Sequence, residues 1–285
     1  CKNSCEFCAV PILEPSFKPK VPTIRKYNYI KDLYGDKKAL LLLDNNILAS
    51  PKFDQIVDEI KRMGFTKGAK HIEPNHLDIA IRNLKNGIND RAYIRRSYTL
   101  INNSIKKIRS QHTAQIYYNL LDEFKLLNFN TVTKENLIAA YPKIRTIYNS
   151  NQKNKNGLKV VDFNQGVDCR FFTEKKMKLI SELPVYPLRI AFDDLKHREK
   201  YIKAVELAIK YGINEFSNYL LYNYKDNPSE LYIRLDINME LCEKHDVTIY
   251  SFPMKYIPVT GASAKNREFT GPRWNKKYIG AIQAI

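Results

Sequence analysis

A chain of 285 residues, 44% hydrophobic and 27% charged, can bury a full core as one large domain or as a domain with an insertion, and its composition is that of an ordinary globular protein. No run of about 18 apolar residues occurs, which excludes a membrane-spanning helix. Lys and Arg number 47 against 30 Asp and Glu, a formal charge of +17; such an excess favours polyanions such as nucleic acid, or anionic substrates, and a codon bias toward Lys, Asn, Ile and Tyr produces it equally well.

The chain opens at Cys1 without an initiator Met, so upstream sequence is expected to be missing, and no signal peptide is visible. Three of its five cysteines fall within the first eight residues. At this length and without a secretory signal a disulfide framework is not expected, and a reducing cytoplasm is the expected compartment. Cys1 to Pro22 is rich in Pro and aperiodic, and reads as loop. Ala39 to Leu43 is a short continuous apolar run, suited to a parallel strand covered on both faces. It ends at Asp44-Asn45-Asn46, which have turn chemistry. Ser50-Pro51 supplies an N-cap and a first-turn Pro, and Phe53, Ile56, Val57, Ile60 and Met63 follow with helical spacing.

The same grammar returns in the second half. Val160 to Phe163 is strand-like, and Thr173 opens a helix carrying Met177, Leu179 and Ile180. Leu188 to Phe192 is a further strand ending at Asp193-Asp194. The next helix runs through Tyr201, Val205 and Ile209 and stops at Gly212. Phe216 to Tyr222 is a strand, Pro228-Ser229 leads a helix through Leu241, and Val247 to Phe252 is the last strand. Repeated strand–helix alternation predicts an α/β fold with a parallel sheet, whose ligands bind at the carboxyl ends of the strands.

Residues 70–157 break this rhythm. They carry about +9 of the charge, a local basic clustering, and contain helical runs at Tyr93 to Ile108 and Ala114 to Leu127. The organisation expected is a core of residues 1–69 and 158–285 with a basic helical insertion at 70–157, in which Asn149 to Asn156 is polar and mobile. Arg91, Arg95, Arg96, Lys106, Lys107 and Arg109, interleaved with Tyr93, Tyr98, Tyr117 and Tyr118, have the mixture that phosphate contact and base stacking use. A solvated helical face has the same composition. Trp274 reads as packing, with closure of the sheet's mouth by a C-terminal helix as the alternative.

Cys1-x3-Cys5-x2-Cys8 is the most informative feature. Thiolates hold iron–sulfur clusters, and a 4Fe–4S cube takes four ligands, so three closely spaced cysteines leave one iron free for an exogenous ligand. A structural zinc site would need a fourth ligand; no second Cys pair exists and the nearest histidine is His71. Pro74 separates His71 and Glu73 from His76, so these three are not read as a metal site. Cys169 and Cys242 read as buried structural thiols.

Cys1-Lys2-Asn3-Ser4-Cys5-Glu6-Phe7-Cys8 resembles the signature of the radical S-adenosylmethionine (SAM) enzymes, three cysteines with an aromatic before the last. The resemblance implies a partial (β/α)6 barrel, a 4Fe–4S cluster on Cys1, Cys5 and Cys8, and SAM bound at the free iron through its amino and carboxylate groups. It implies reductive cleavage of SAM to a 5′-deoxyadenosyl radical, with a flavodoxin- or ferredoxin-like protein as electron donor. Asp44, Asn45 and Asn46 stand where the family's Gly-Gly-Glu-like motif receives the SAM amino group, although glycine and glutamate are absent. Asn164, Gln165, Asp168 and Arg170 follow the strand whose polar groups approach SAM, and an Arg there can pair bidentately with its carboxylate. Asp193 matches the ribose-binding position, Tyr222 and Asn223 end the strand whose backbone flanks adenine, and Phe7 lies toward the adenine edge. Nucleic acid reached through the basic insertion is the first expected substrate class. The competing reading is a non-catalytic, zinc-stabilised nucleic-acid-binding module.

Overall fold

The computed structural model describes residues 3, 5–16, 20–153 and 156–284. In chain order the elements are α1 (Val10–Leu13), α2 (Ile24–Tyr34), β1 (Ala39–Leu42), α3 (Phe53–Arg62), β2 (Lys70–His71), α4 (His76–Lys85), α5 (Asp90–Ile105), α6 (Gln111–Glu123), α7 (Lys134–Ser150) and β3 (Gly157–Leu158). They continue with β4 (Val160–Phe163), β5 (Val167–Asp168), α8 (Glu174–Ser181), β6 (Leu188–Ala191), α9 (Arg198–Lys210), β7 (Glu215–Tyr222), α10 (Pro228–His245), β8 (Thr248–Lys255) and α11 (Lys276–Gln283). The fold is mixed α/β with parallel sheets, in two compact units: residues 1–23, 39–69 and 159–285 form one, residues 24–38 and 70–158 the other.

In the first unit the predicted apolar runs pair as parallel strands. β1 lies beside β4, from Ala39 opposite Val160 to Leu42 opposite Phe163. β5, β6, β7 and β8 follow one another in a four-stranded parallel sheet. Val161 bridges Val185, just before β6, so β4 and β5 flank the same neighbour as one run interrupted at residues 164–166. Gly166 (φ +77°) makes that interruption feasible, because its backbone angle suits a residue without Cβ. Side chains alternate across the sheet. Val161, Phe163, Leu188, Ile190, Phe216 and Leu220 are buried, on the side packed by α9 and α10. On the other side Asp162, Arg189 and Ser217 form a polar row: Arg189 donates to both Asp162 oxygens (2.8 and 2.9 Å) and to Ser217 Oγ (3.0 Å).

The helix-facing side also carries polar groups, and these are bonded in series. Asn218 Nδ2 donates to Tyr201 Oη, Tyr201 to Asn238 Oδ1, and Asn238 Nδ2 to Ser251 Oγ, each at 2.8 Å. The chain joins β7, α9, α10 and β8, and the Tyr201 ring stacks on Phe192 at 4.2 Å. Arg234 of α10 is fully buried. It donates to the carbonyls of Phe192 and Asp193 (3.0 Å each) and Leu221 (2.8 Å), and to the Asp226 carboxylate (3.2 Å). One guanidinium therefore clasps the carboxyl ends of β6 and β7.

Helix boundaries follow their caps, with two departures from the sequence pattern. Thr173 caps α8 as expected, accepting from Lys176 N, and Gly212 (φ +79°) ends α9. Asn227 and Glu230 form a capping box ahead of Pro228 in α10. Ser50 does not cap α3: its hydroxyl bonds Lys52 N at 3.2 Å, and the helix starts three residues on, at Phe53. β8 runs past Phe252 through Pro253 to Lys255; as the last strand of its sheet it has an unpaired edge, where a missing N–H is tolerated.

The second unit is helical, with β2 and β3 as a short antiparallel pair. Leu77, Ile81 and Leu84 of α4, Ile101 of α5, Tyr117 and Leu121 of α6, and Leu137, Ala140 and Ile144 of α7 make its core. Tyr117 is buried there and bonds Ser104 Oγ at 2.8 Å. The unit also takes in residues 24–38, where Asn83 Nδ2 of α4 holds the Leu33 carbonyl at 2.8 Å. Of the polar stretch 149–156, Asn149 and Asn156 accept hydrogen bonds from Asn75 and from the Glu73 amide; residues 154 and 155 lie outside the described residues. No helix among the described residues is long and apolar enough to cross a membrane.

Replacing Arg234 by Met strips the Asp226 carboxylate and three strand-end carbonyls of their buried donor. We expect a stability loss of about 3–5 kcal/mol, read from urea unfolding followed by circular dichroism. A loss below about 1 kcal/mol would show that the strand ends hold without it.

Candidate functional site

Two of the three motif cysteines, Cys5 and Cys8, are described, and both are free thiols; Cys1 lies outside the described residues. They sit on one turn, closed by a hydrogen bond from Cys8 N to Cys5 O at 3.0 Å. The Val10 amide points at Cys8 Sγ at 3.4 Å. Among the described residues no group of three or more His, Cys, Asp or Glu side chains converges as a metal site.

The cysteine turn is tied to the strand ends from both sides. Asn3 Nδ2 donates to Asp168 Oδ2 at 2.6 Å. Arg170 grips the same carboxylate bidentately, at 2.8 and 2.7 Å, and its positive charge draws the Cys5 thiol down. Burial raises the Cys5 thiol above its ordinary value, against the opposing pull of Arg170; the charges of Cys8 and Asp193 add to the rise. Asp168 feels a desolvation penalty, but its bonds from Arg170 and Asn3 together hold it below the usual carboxylate range. On the far side Tyr224 Oη donates to Glu6 Oε2 at 2.8 Å, Lys225 pairs with the same carboxylate, and Phe7 meets the Tyr224 ring edge-on at 5.9 Å.

Other residues singled out from sequence lie at the ends of four strands. At the end of β1, Asp44 forms an Asx turn, accepting from Asn46 N at 2.9 Å, and Asn45 donates to Glu14 at 3.0 Å. Asn46 is buried, and its Oδ1 accepts no hydrogen bond from the described residues. Beyond β4, the Asn164 amide donates to the Leu42 carbonyl at 3.2 Å, extending the β1–β4 pairing, while Gln165 is exposed. Cys169 is buried, and desolvation pushes its thiol up to about 11. At the end of β6, Asp193 is raised to about 6 by desolvation, with Arg234 opposing the shift.

Tyr222 and Asn223 do structural work with their side chains. Tyr222 is buried with its ring 5.2 Å from Trp274. Asn223 (φ +67°) donates to the carbonyls of Tyr256 and Phe269, both at 3.1 Å, and accepts from Gly271 N at 2.7 Å. A Cβ at Gly271 would lie 2.7 Å from the Asn223 carbonyl oxygen, so glycine is required there. Trp274 Nε1 donates to the Asp226 carbonyl at 2.9 Å, which accounts for this residue as packing and anchorage. In the helical unit His76 and Glu73 are 2.9 Å apart, and His71 lies 3.4 Å from Asp36, a neighbour that the sequence pattern did not reveal. Asn3, Tyr224, Asp226 and Arg234 were missed as well; Asn3 alone carried a signal, its place inside the cysteine motif.

No protein-family model, curated protein or solved structure matches the chain.

Asp193 sets a pH test. Its folded value lies above the unfolded one, so the folded state binds the proton more tightly. Its contribution is complete below the ordinary Asp range and is lost as pH rises through about 6. Asp193→Asn should therefore flatten the decline in urea midpoint between about pH 4 and 6, the interval between the ordinary Asp range and the folded value. An unchanged profile in the variant would remove Asp193 as the cause.

Proposed function

We propose that the chain is a radical SAM enzyme, with Cys1, Cys5 and Cys8 holding a 4Fe–4S cluster beside a SAM site at the carboxyl ends of the parallel strands. The carrying observation is the cysteine motif, two of whose thiols sit on one turn that Asn3 fastens, through Asp168, to the exit of β5, where Arg170 grips the same carboxylate. The strand order supports the partial-barrel reading. Each parallel strand of the first unit lies next to its chain predecessor, as in an unrolled (β/α) barrel, and the order nowhere reverses as it does in doubly wound sheets.

The donor set fits the proposed group. Thiolates on a tight loop can ligate an iron–sulfur cluster, and Asn46 offers a buried acceptor with no donor among the described residues, suited to an ammonium group. When bound, the cluster and SAM supply the one-electron cleavage that gives a 5′-deoxyadenosyl radical. The protein's part is to bind and orient. Asn46 would accept from the SAM amino group. Asp193, with its proton retained to about pH 6, would face the ribose hydroxyls as a carboxylate at neutral pH. Arg170 would use the N–H groups that Asp168 does not take toward the SAM carboxylate, so its contribution there is smaller than a free bidentate fork would give. An electron-donor protein of flavodoxin or ferredoxin type completes the reading.

Protein reconstituted without oxygen should contain iron and sulfide, and with dithionite and SAM it should release 5′-deoxyadenosine; Cys5→Ala should abolish that release. Asn46→Leu should weaken SAM binding about tenfold in calorimetry, the loss of one buried hydrogen bond to a charged group. Zinc in place of iron, or reconstituted protein that never cleaves SAM, would overturn the proposal.

A further inference from the structure

The helical unit carries a surface that the cofactor reading does not use. Between Asp90 and Asp122 the chain holds six basic side chains, Arg91, Arg95, Arg96, Lys106, Lys107 and Arg109, and no carboxylate. Ser97, Ile101 and Ser104 turn the buried side of α5 into the unit, and all six basic residues are exposed. Asp90, the one acid at the start of α5, is taken by Lys134.

Among exposed cations elsewhere in the same unit, Lys143 pairs with Glu123 at 2.9 Å and Arg145 with Asp78 at 2.8 Å, whereas Arg82, Lys85 and Lys125 have no carboxylate partner among the described residues. Those of α5 have no carboxylate partner among the described residues. Their placement does not serve the helix either. Arg91 stands in its first turn, where the dipole repels cations, and Arg91 and Arg95 stand at like-charged i,i+4 positions. A folded surface that accumulates unrelieved positive charge in this way is relieved by a polyanion.

An aromatic platform adjoins the charge. Phe129 is 39% exposed, the Arg95 guanidinium lies over its ring at 5.7 Å, and Tyr98 supports it edge-on at 5.3 Å. Tyr98 is fixed in turn by its hydroxyl, which donates to the Leu127 carbonyl at 3.3 Å. Tyr117, which the sequence pattern offered for stacking, is buried and cannot serve. An exposed ring held rigid beside a cation is the means by which proteins stack unpaired bases. From Arg91 to Lys106 the helix rises about 22 Å, enough to follow several nucleotides.

We infer that the α5 face with Phe129 binds single-stranded nucleic acid, its cations along the phosphates and Phe129 under a base. This goes beyond the cofactor reading and does not depend on it.

The test uses the full chain and fluorescence anisotropy with a labelled mixed-sequence single-stranded RNA, the matching DNA strand and its duplex. Neither iron, SAM nor turnover enters, so failure here is separable from failure of the cofactor reading. With about four phosphate contacts, affinity should fall about 50-fold between 50 and 200 mM KCl. The triple change Arg91→Gln, Arg95→Gln, Arg96→Gln should flatten the salt slope by about two. Should the triple variant misfold by circular dichroism, Lys106→Gln with Arg109→Gln should flatten it by about one. Phe129→Ala should weaken single strands about tenfold at unchanged slope, and Lys143→Gln, on α7, should change neither. RNA and DNA strands that separate in affinity would name the natural ligand. The inference is overturned if the charge variants keep the wild-type slope or if duplex binds as tightly as single strands with Phe129→Ala silent. Phosphatidylserine vesicles capturing the protein in preference to nucleic acid would equally overturn it, assigning the face to a membrane surface.

Discussion

A fully buried guanidinium has no water to fall back on, so every N–H it carries must find an acceptor in the protein. Arg234 finds them at the carboxyl ends of β6 and β7 and in the Asp226 carboxylate. Strand ends are where a parallel sheet leaves carbonyls unpaired, and a single rigid donor fork satisfies several of them from one helix. The consequences spread outward along the loop after β7. Asp226 accepts from Trp274, Asn223 holds the 256–271 segment, and Tyr224 and Lys225 meet Glu6 in the cysteine loop. The position of that loop over the sheet is thus inherited, link by link, from α10.

Most strands and helices of the first unit were legible because their signals are local; α1, inside the stretch read as loop, was not. Ala39 to Leu42 and Leu188 to Ala191 are apolar runs of strand length, and Thr173 and Gly212 are a cap and a stop whose chemistry does not depend on distant residues. The helical unit was legible only in part. α7 contains Pro142, which removes one ladder hydrogen bond and reads as a breaker, yet Leu137, Ala140 and Ile144 on its other turns bury enough apolar surface to keep it helical. α2 shows no fully buried side chain although Ile24, Tyr27, Ile30 and Leu33 recur at helical spacing, and Asn83 holds its Leu33 carbonyl.

At the candidate site, residue types were legible and partners were not. The sequence pattern set Asp168 and Arg170 two apart, and the structure pairs them, which leaves fewer of the Arg170 donors for a ligand. Asn3 lies between the motif cysteines, and its bond to Asp168 crosses 165 positions of chain. Asn223 was singled out for its backbone, while its side chain proved to be the latch for Gly271. For Asn3 and Asn223 the decisive term is a hydrogen bond between segments distant in sequence, for which one sequence holds no periodicity to read.

The orphan acceptor at Asn46 bears most directly on ligand binding. Leaving a buried amide oxygen unpaired costs about 1–3 kcal/mol, and the protein retains that cost beside Asp44, whose own carboxylate is satisfied by the turn. Unpaired buried oxygens also occur at Ser97 and Asn218, so absence of a donor does not single Asn46 out. Its position does. Ser97 lies within α5 and Asn218 within β7, on the helix-packed side of the sheet, whereas Asn46 stands just past the carboxyl end of β1, where a parallel sheet presents its ligands. A donor arriving there recovers what folding left unspent, so a cationic amine should gain more at Asn46 than at any amide oxygen already bonded within the protein.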